Sequence, residues 1–508
     1  MRHIIAHDLG TTGNKATLYS ERGEMKASAF SAYDTEHLGG NRVEQNPQDW
    51  WRAVCESSRE LIEKADINIE EIAVISFSGQ MMGCVPVDRD ARALRQAIIW
   101  ADQRSTEEER ELKEKIGADR GYRITGHRLS ASYSGAKIRW LRKNEREVYE
   151  QTYKFLQPKD YIIARLTGKF ATEYSDASGT NLLHLEDMEW SEEIVSALDI
   201  DLEKLPELKY STEVAGELTK QAAEEVGLNP GIPVVMGGGD GATASVGAGS
   251  VDEGQLYNYL GSSSWIALTS DEPIYDEEKK TFNWVHVVPD KYIPCGTMQS
   301  AGASYAWLRD NIAWTEREAA QSLDFEAYDL MNERIKNSEP GAGGLLFLPY
   351  LMGERSPHWN PKARGAFIGL SMNSDRGDVM RAVMEGVTFN LRIILDSFEK
   401  EMSFAEMKVI GGGAESEVWR QIMADIYQKE IHRLQILREA PSLGAAVIGG
   451  VGTDIFPDFS VIHKFNPALR KTQPDPESRE IYEKIYPLFR RSYQVLTGIY
   501  DDLDELSL

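Results

Sequence analysis

Asp240 stands in VVMGGGDGATASVGAG, residues 234–249, where an apolar run ends in three glycines and one carboxylate. A carboxylate there can orient an attacking hydroxyl and take its proton, because the glycines leave room for backbone and substrate to approach. It can also cap the helix that GATASVGA predicts, and the two roles are compatible.

In DLGTTGNK, residues 8–15, Gly10, Thr11, Thr12 and Lys15 offer N–H groups, hydroxyls and a cation to phosphate oxygens. The Gly-x-x-x-x-Gly-Lys spacing of a P-loop is missing, and a strand is predicted to follow. Asp8 ends a buried strand and would be costly there without a partner such as a hydrated metal ion. A hairpin turn with exposed threonines is the plain alternative. LGSSSW, residues 260–265, has the same form and can clamp the same phosphates from the opposite side. A third cluster, GGGA at 411–414, lies between an apolar strand and a helix opened by Glu415 or Ser416. A ring or a sugar can approach such a surface closely, although a tight strand-to-helix turn explains it as well. It is not Gly-x-Gly-x-x-Gly, which removes support for a dinucleotide fold.

GQMMG at 79–83 and WADQRS at 100–105 suggest a polyol site. Trp100 would wall the C–H faces, and Gln80, Asp102 and Arg104 would meet hydroxyls. Met81 and Met82 taken alone read as core packing.

These groups need a scaffold. HIIAHDLG, KATLYS and MKASAFSAY predict an antiparallel meander. NPQDWWRAVCESSRELIEKA predicts a helix capped by Asn46, with Pro47 at its start and Trp51, Val54, Cys55, Ser58, Leu61 and Ile62 as its inward stripe. IAVISFSGQ then predicts a buried strand, and the whole is an α/β layer with loops collected at strand ends. YLGSSSWIALTS at 259–270 imitates HDLGTTGNKATLYS at 7–20, which predicts a duplicated architecture divided near residue 250.

The chain has 508 residues and a formal net charge of -25, which argues against nucleic acid as the main partner. Cys55, Cys84 and Cys295 are too few and too scattered for a disulfide framework or a metal cluster. The start MRHIIAHDLG does not form a signal peptide, and the apolar run at 343–353 is too short to span a bilayer, so a cytoplasmic enzyme without membrane partners is expected.

DLGTTGNK, SGQMMG, WADQRS, DYIIARLTGKFATEYSDASGT, GGGDGATASVGAG, LGSSS, GERSPHWNPKARGAFIGL, GGGAESEVWRQIMAD and EAPSLGAA occur in the order found in the FGGY carbohydrate kinases. The chain resembles that family over nearly its whole length, its xylulokinase branch most of all. The resemblance implies two actin-like (ribonuclease H-like) domains around a deep cleft, 1–250 mainly for sugar and 251–508 mainly for ATP. It implies ATP- and Mg-dependent phosphorylation of a ketopentose-type sugar, with Asp240 as base and Asp8 near Mg, reached through water. By the same resemblance Gly10, Thr11, Thr12, Lys15, Gly261, Ser262 and Ser263 hold phosphates, and Gly412, Gly413 and Ala414 border the adenosine. Gln80, Met81 and Asp102 lie where the family contacts its substrate.

Two departures concern the sugar. Met82 replaces a histidine usual in the xylulokinase motif, and a thioether is no strong hydrogen-bond donor. Gly241 stands where asparagine is frequent, leaving more room and one donor fewer beside Asp240. Ribulose, gluconate and glycerol-like substrates are therefore alternatives, as are a non-catalytic actin-like ATPase and a sugar sensor. A homodimer is a further expectation.

Overall fold

The computed structural model describes residues 1–506. Strands β1 (His3–Leu9), β2 (Gly13–Ser20) and β3 (Met25–Ala32) form the antiparallel meander read from the sequence. β1 then pairs in parallel with β4 (Ile72–Gly79). β5 (Val214–Glu217) and β6 (Pro233–Val235) complete the path β5-β6-β4-β1-β2-β3. Ile4, Ile5, Val74 and Ile75 are all buried because layers cover both faces of this centre, which explains the unbroken apolar runs. Helix α1 (Pro47–Ala65) starts as read, with Asn46 Oδ1 accepting the Gln48 amide at 3.0 Å.

The second half repeats the plan. β7 (Leu256–Leu260), β8 (Ser264–Leu268), β9 (Phe282–Val285) and β10 (Tyr292–Met298) are followed by β11 (Glu406–Ile410), β12 (Glu430–Leu434) and β13 (Ala468–Thr472), in the order β9-β10-β8-β7-β11-β12-β13. As in the first sheet, the leading strand pairs antiparallel with the next and parallel with a distant one. The outermost pairing on that side is antiparallel again in both sheets. The repeat seen as two similar hairpins is thus a repeat of whole sheet topology.

Two helices join the halves. α2 (Asp240–Gly247) follows the first sheet, α3 (Glu417–Tyr427) belongs to the second, and α4 (Ala440–Gly452) lies against both α2 and the first sheet. A Cβ on Gly247 would sit 1.9 Å from the Ala440 carbonyl oxygen, and one on Gly444 would sit 2.0 Å from that of Thr243. Only glycine lets these backbones meet. Tyr19 Oη and Ser442 Oγ, buried 2.9 Å apart, add a polar tie across the same junction. Residues 84–209 carry a smaller helical layer with its own core around Leu112, Ile138 and Leu141, and this layer forms one wall of the cleft.

Candidate active site

The turn after β1 brings its polar groups to one sheet end. Asp8 lies opposite Lys15 on β2 and opposite Ser78 on β4, so three polar residues share one face in a row. Burial raises the Asp8 pKa despite a hydrogen bond from Ser78 and the charge of Lys15. The turn itself is braced: Gly10 N–H donates to the Gly13 carbonyl at 3.0 Å, and Gln45 Nε2 donates to the Thr11 carbonyl at 2.6 Å. Thr12 is exposed, and Lys15 reaches Glu439 of the second half at 3.5 Å.

The two glycine clusters of the second half adjoin one another. Gly261 N–H donates to the Ser263 carbonyl, and the Ser262 carbonyl accepts from Ala301 and Ala303, leaving Ser262 exposed. Gly413 lies against Leu260, whose side chain a Cβ would meet at 2.5 Å. Gly412 is exposed with open space above it, whereas Ala414 is buried. Residues 261–263 and 411–413 therefore form one continuous edge, and Ser416 rather than Glu415 caps the helix beyond it. Burial raises the Tyr259 pKa, and the negative charges of Asp8 and Asp240 add to that shift.

Asp240 opens α2 as its first helical residue. The cap is Gly239, so the capping role considered for the Asp240 side chain is not what it plays; its Oδ1 accepts the next amide, Gly241 N–H, at 2.7 Å. The residue keeps an exposed surface yet is crowded by protein. That crowding, and the charge of Asp8, push its pKa up to about 7, against the opposing pull of the Gly241 amide and Arg355. Such a carboxylate is poised to exchange a proton near neutrality. Its position is held from below: Ser175 Oγ accepts the Gly239 amide at 3.0 Å and itself donates to Glu173 at 2.8 Å. Glu173, Asp160 and Asp176 surround the fully buried ammonium of Lys159.

A cleft of ≈ 690 Å³ between the halves is lined by Met82, Trp100 and Tyr133 from the first and by Trp284, Gln299 and Arg355 from the second, among others. Trp100 and Met82, two of the residues read as substrate contacts, thus line this cleft. Gln80 and Asp102 stand behind the wall instead. Asp102 is fully buried, its oxygens taken by the Arg104 guanidinium and the Val43 amide, so no acceptor is left for a sugar. Gln80 Nε2 donates to Gln45 Oε1 at 2.9 Å and points at the Gly10 carbonyl, bracing the first turn. Met81 is buried against Gly239, where a Cβ would meet its sulfur at 2.5 Å, and so it shapes the approach to Asp240 by packing.

Several residues here were not singled out from the sequence. Lys137 is fully buried and gives its ammonium to the carbonyls of Met82, Ile99 and Ser132, tying three wall segments to one point; burial pushes its pKa down to about 7. Arg355 makes no side-chain hydrogen bond or ion pair among the described residues, and its Nε is buried without a partner. Glu354 beside it accepts the amides of Gln299 and Arg355 and the Asn390 side chain, and burial pushes its pKa up to about 8. The signal for this pair was the GERSPHW stretch, which carries charges next to an apolar run. No helix among the described residues is long and apolar enough to cross a membrane.

Two sheets of the same topology, with a cleft lined from both halves, define a two-lobed protein of the actin-like class. The chain belongs to the FGGY family of carbohydrate kinases: residues 3–247 match its N-terminal domain and 256–453 its C-terminal domain. It is 32% identical to a xylulose kinase of Staphylococcus xylosus, covering 98% of this chain and 99% of that one. A gluconokinase of Bacillus subtilis is 29% identical, with 99% and 97% covered. The crystal structure of a ligand-bound xylulose kinase from Lactobacillus acidophilus superposes with a TM-score of 0.91 at 28% identity, covering 99% and 100% of the two chains. The chain is thus an ATP-dependent sugar kinase; the similar standing of xylulose kinases and gluconokinases leaves its sugar to be argued from the site.

Proposed function

We propose that this kinase phosphorylates a hydroxyl of a ketopentose-type sugar, with Asp240 as general base. The observation that carries the reading is the Asp240 carboxyl itself, exposed at the start of α2 with its pKa pushed up to about 7. The sugar lies against Trp100 and Met82 and is held mainly by the first domain, residues 1–250. The attacking hydroxyl gives its proton to Asp240 while its oxygen forms the new bond to the terminal phosphorus of ATP. The bond from that phosphorus to the bridging oxygen breaks, and ADP leaves with the electron pair. Gly10, Thr11, Thr12 and Lys15 meet the phosphates from one side and Gly261, Ser262 and Ser263 from the other. Gly412, Gly413 and the buried Ala414 border the adenosine, so the nucleotide belongs mainly to residues 251–508.

Asp8 fits Mg, which it would hold through water: its carboxylate is crowded at a strand end, and Asp240 adds like charge nearby. Bound Mg supplies charge neutralisation for the phosphates. Gln80 and Asp102 support the turn and the wall.

A second reading, a sugar acid as acceptor, is favoured by the unpaired Arg355 guanidinium in the cleft and by Met82 in place of an imidazole. An ATP-coupled assay over ketopentoses, aldonates and polyols separates the two. ATP turnover that no sugar stimulates would defeat both.

A further inference from the structure

Lys137 and Lys159 are both fully buried, yet their ammonium groups rest on different partners. Lys159 lies among the carboxylates of Asp160, Glu173 and Asp176. Lys137 makes no ion pair among the described residues and spends its donors on backbone: the carbonyls of Met82 at 2.7 Å, Ile99 at 2.8 Å and Ser132 at 2.5 Å. An ammonium has three donors, so none is left over. A buried cation without a carboxylate is costly, and a methionine of similar length would fill the space without that cost. Stability alone therefore does not account for a lysine here.

The three carbonyls belong to the wall of the cleft. Met82 and Ser132 line it themselves, and Ile99 directly precedes Trp100, which lines it too. The three segments are separate in the chain, and the helix Ser134–Asn144 that carries Lys137 gathers them. Met82 is held at a φ of 62°, a left-handed backbone that disfavours a side chain such as methionine. Lys137 fixes its carbonyl, and Ser134 Oγ donates to the next one, Gly83, at 2.6 Å. Gln103 Nε2 donates to Ser132 Oγ and closes the frame from the Trp100 side.

We propose that Lys137 is a positioning residue for the sugar: by drawing three carbonyls onto one ammonium it fixes how far Met82 stands from the Trp100 indole, and so which hydroxyl pattern the wall admits. This rests on the reading that the sugar lies against Trp100 and Met82. Lys137 acts through the backbone, having no exposed surface with which to touch a substrate. The lever is steep, since a displacement of about 1 Å in a positioning group can cost about a hundredfold.

The test is steady-state kinetics on the full chain, with the ketopentose, aldonate or polyol that gives the highest kcat/KM in the panel above. Lys137→Met keeps length and packing but donates nothing. Its sugar KM should rise about tenfold while kcat stays within about threefold, because Asp240 and the glycine turns are untouched, and its preference among the panel should flatten. Trp100→Ala removes the wall and should raise the sugar KM at least tenfold by itself. Adding Lys137→Met to it should then cost no more than about a further threefold, because the ammonium has little left to position. Lys137→Gln keeps two of the three donors and carries the same cycle if the methionine variant does not fold, with a rise of about fourfold expected. A sugar KM that stays at the wild-type value in the Lys137 variants overturns the proposal. So do effects that multiply in the double variant, which would mark a structural role independent of the wall. A Trp100→Ala variant with an unchanged sugar KM shows instead that the sugar sits elsewhere, and the proposal falls with that reading.

Discussion

Trp100 Nε1 donates a hydrogen bond to Thr11 Oγ1 at 3.0 Å, so the wall of the cleft and the first glycine turn form one unit. A sugar seated on the indole is therefore sensed by the turn proposed to hold phosphate. Trp100→Phe keeps an aromatic wall but removes this donor. It is expected to lower kcat/KM about five- to tenfold, the worth of one such bond, and to raise the KM for ATP as well as for sugar. Steady-state kinetics with each substrate varied checks it; an ATP KM equal to wild type would break the proposed link.

Asp240→Asn preserves volume and removes the base. Turnover should fall by roughly two to four orders of magnitude. The raised pKa means that the folded state resists ionisation of Asp240, so stability is lost as pH rises from the ordinary carboxylate range through about 7. The variant should accordingly melt no lower than wild type at pH 8. Calorimetry beside a coupled assay reads both effects, and turnover within a few-fold of wild type would exclude the base role.

The acid limb of kcat/KM should lie near pH 7, with activity rising as Asp240 loses its proton. Arg355 helps to hold that pKa down, so Arg355→Met is expected to move the limb upward. A limb that stays in place or moves down would separate Arg355 from Asp240.

Met82→His adds a hydrogen-bonding ring to the cleft wall without touching the glycine turns. The ranking of ketopentoses, aldonates and polyols by kcat/KM should change while the KM for ATP stays within about twofold. An unaltered ranking would show that position 82 does not select the sugar.

At the junction of the lobes, Gly444→Ala would push a methyl to 2.0 Å from the Thr243 carbonyl oxygen, backbone that cannot swing away. The α2–α4 contact must then open, at a cost of about 2–4 kcal/mol. A lower Tm with a larger loss of kcat than the loss of folded protein explains is expected, because α2 carries Asp240. Thermal unfolding unchanged from wild type would contradict this.

The elements were legible because their cues are local. Asn46-Pro47 opens α1, the apolar runs around Ile4 and Ile75 make central strands, and the glycine turns interrupt hairpins wherever they lie in the chain. The likeness of residues 7–20 and 259–270 reported the duplication because each half must build the same hairpin beside the same parallel strand. Asp240 and Trp100 could be picked out by residue type and by the glycines or aromatics around them. What each polar side chain faces was not legible. Asp102 and Trp100 are two residues apart, yet one is spent on Arg104 and the other lines the cleft. Trp100 and Arg355 are 255 positions apart in the chain, and folding alone puts them around one cavity. Sequence by itself determined the strands, turns and family, since these depend on neighbours in the chain and on motif order. Tertiary structure alone decided which carboxylate stays crowded and free to take a proton and which is neutralised. That outcome depends on the charges and hydrogen-bond donors that distant segments bring within a few ångströms.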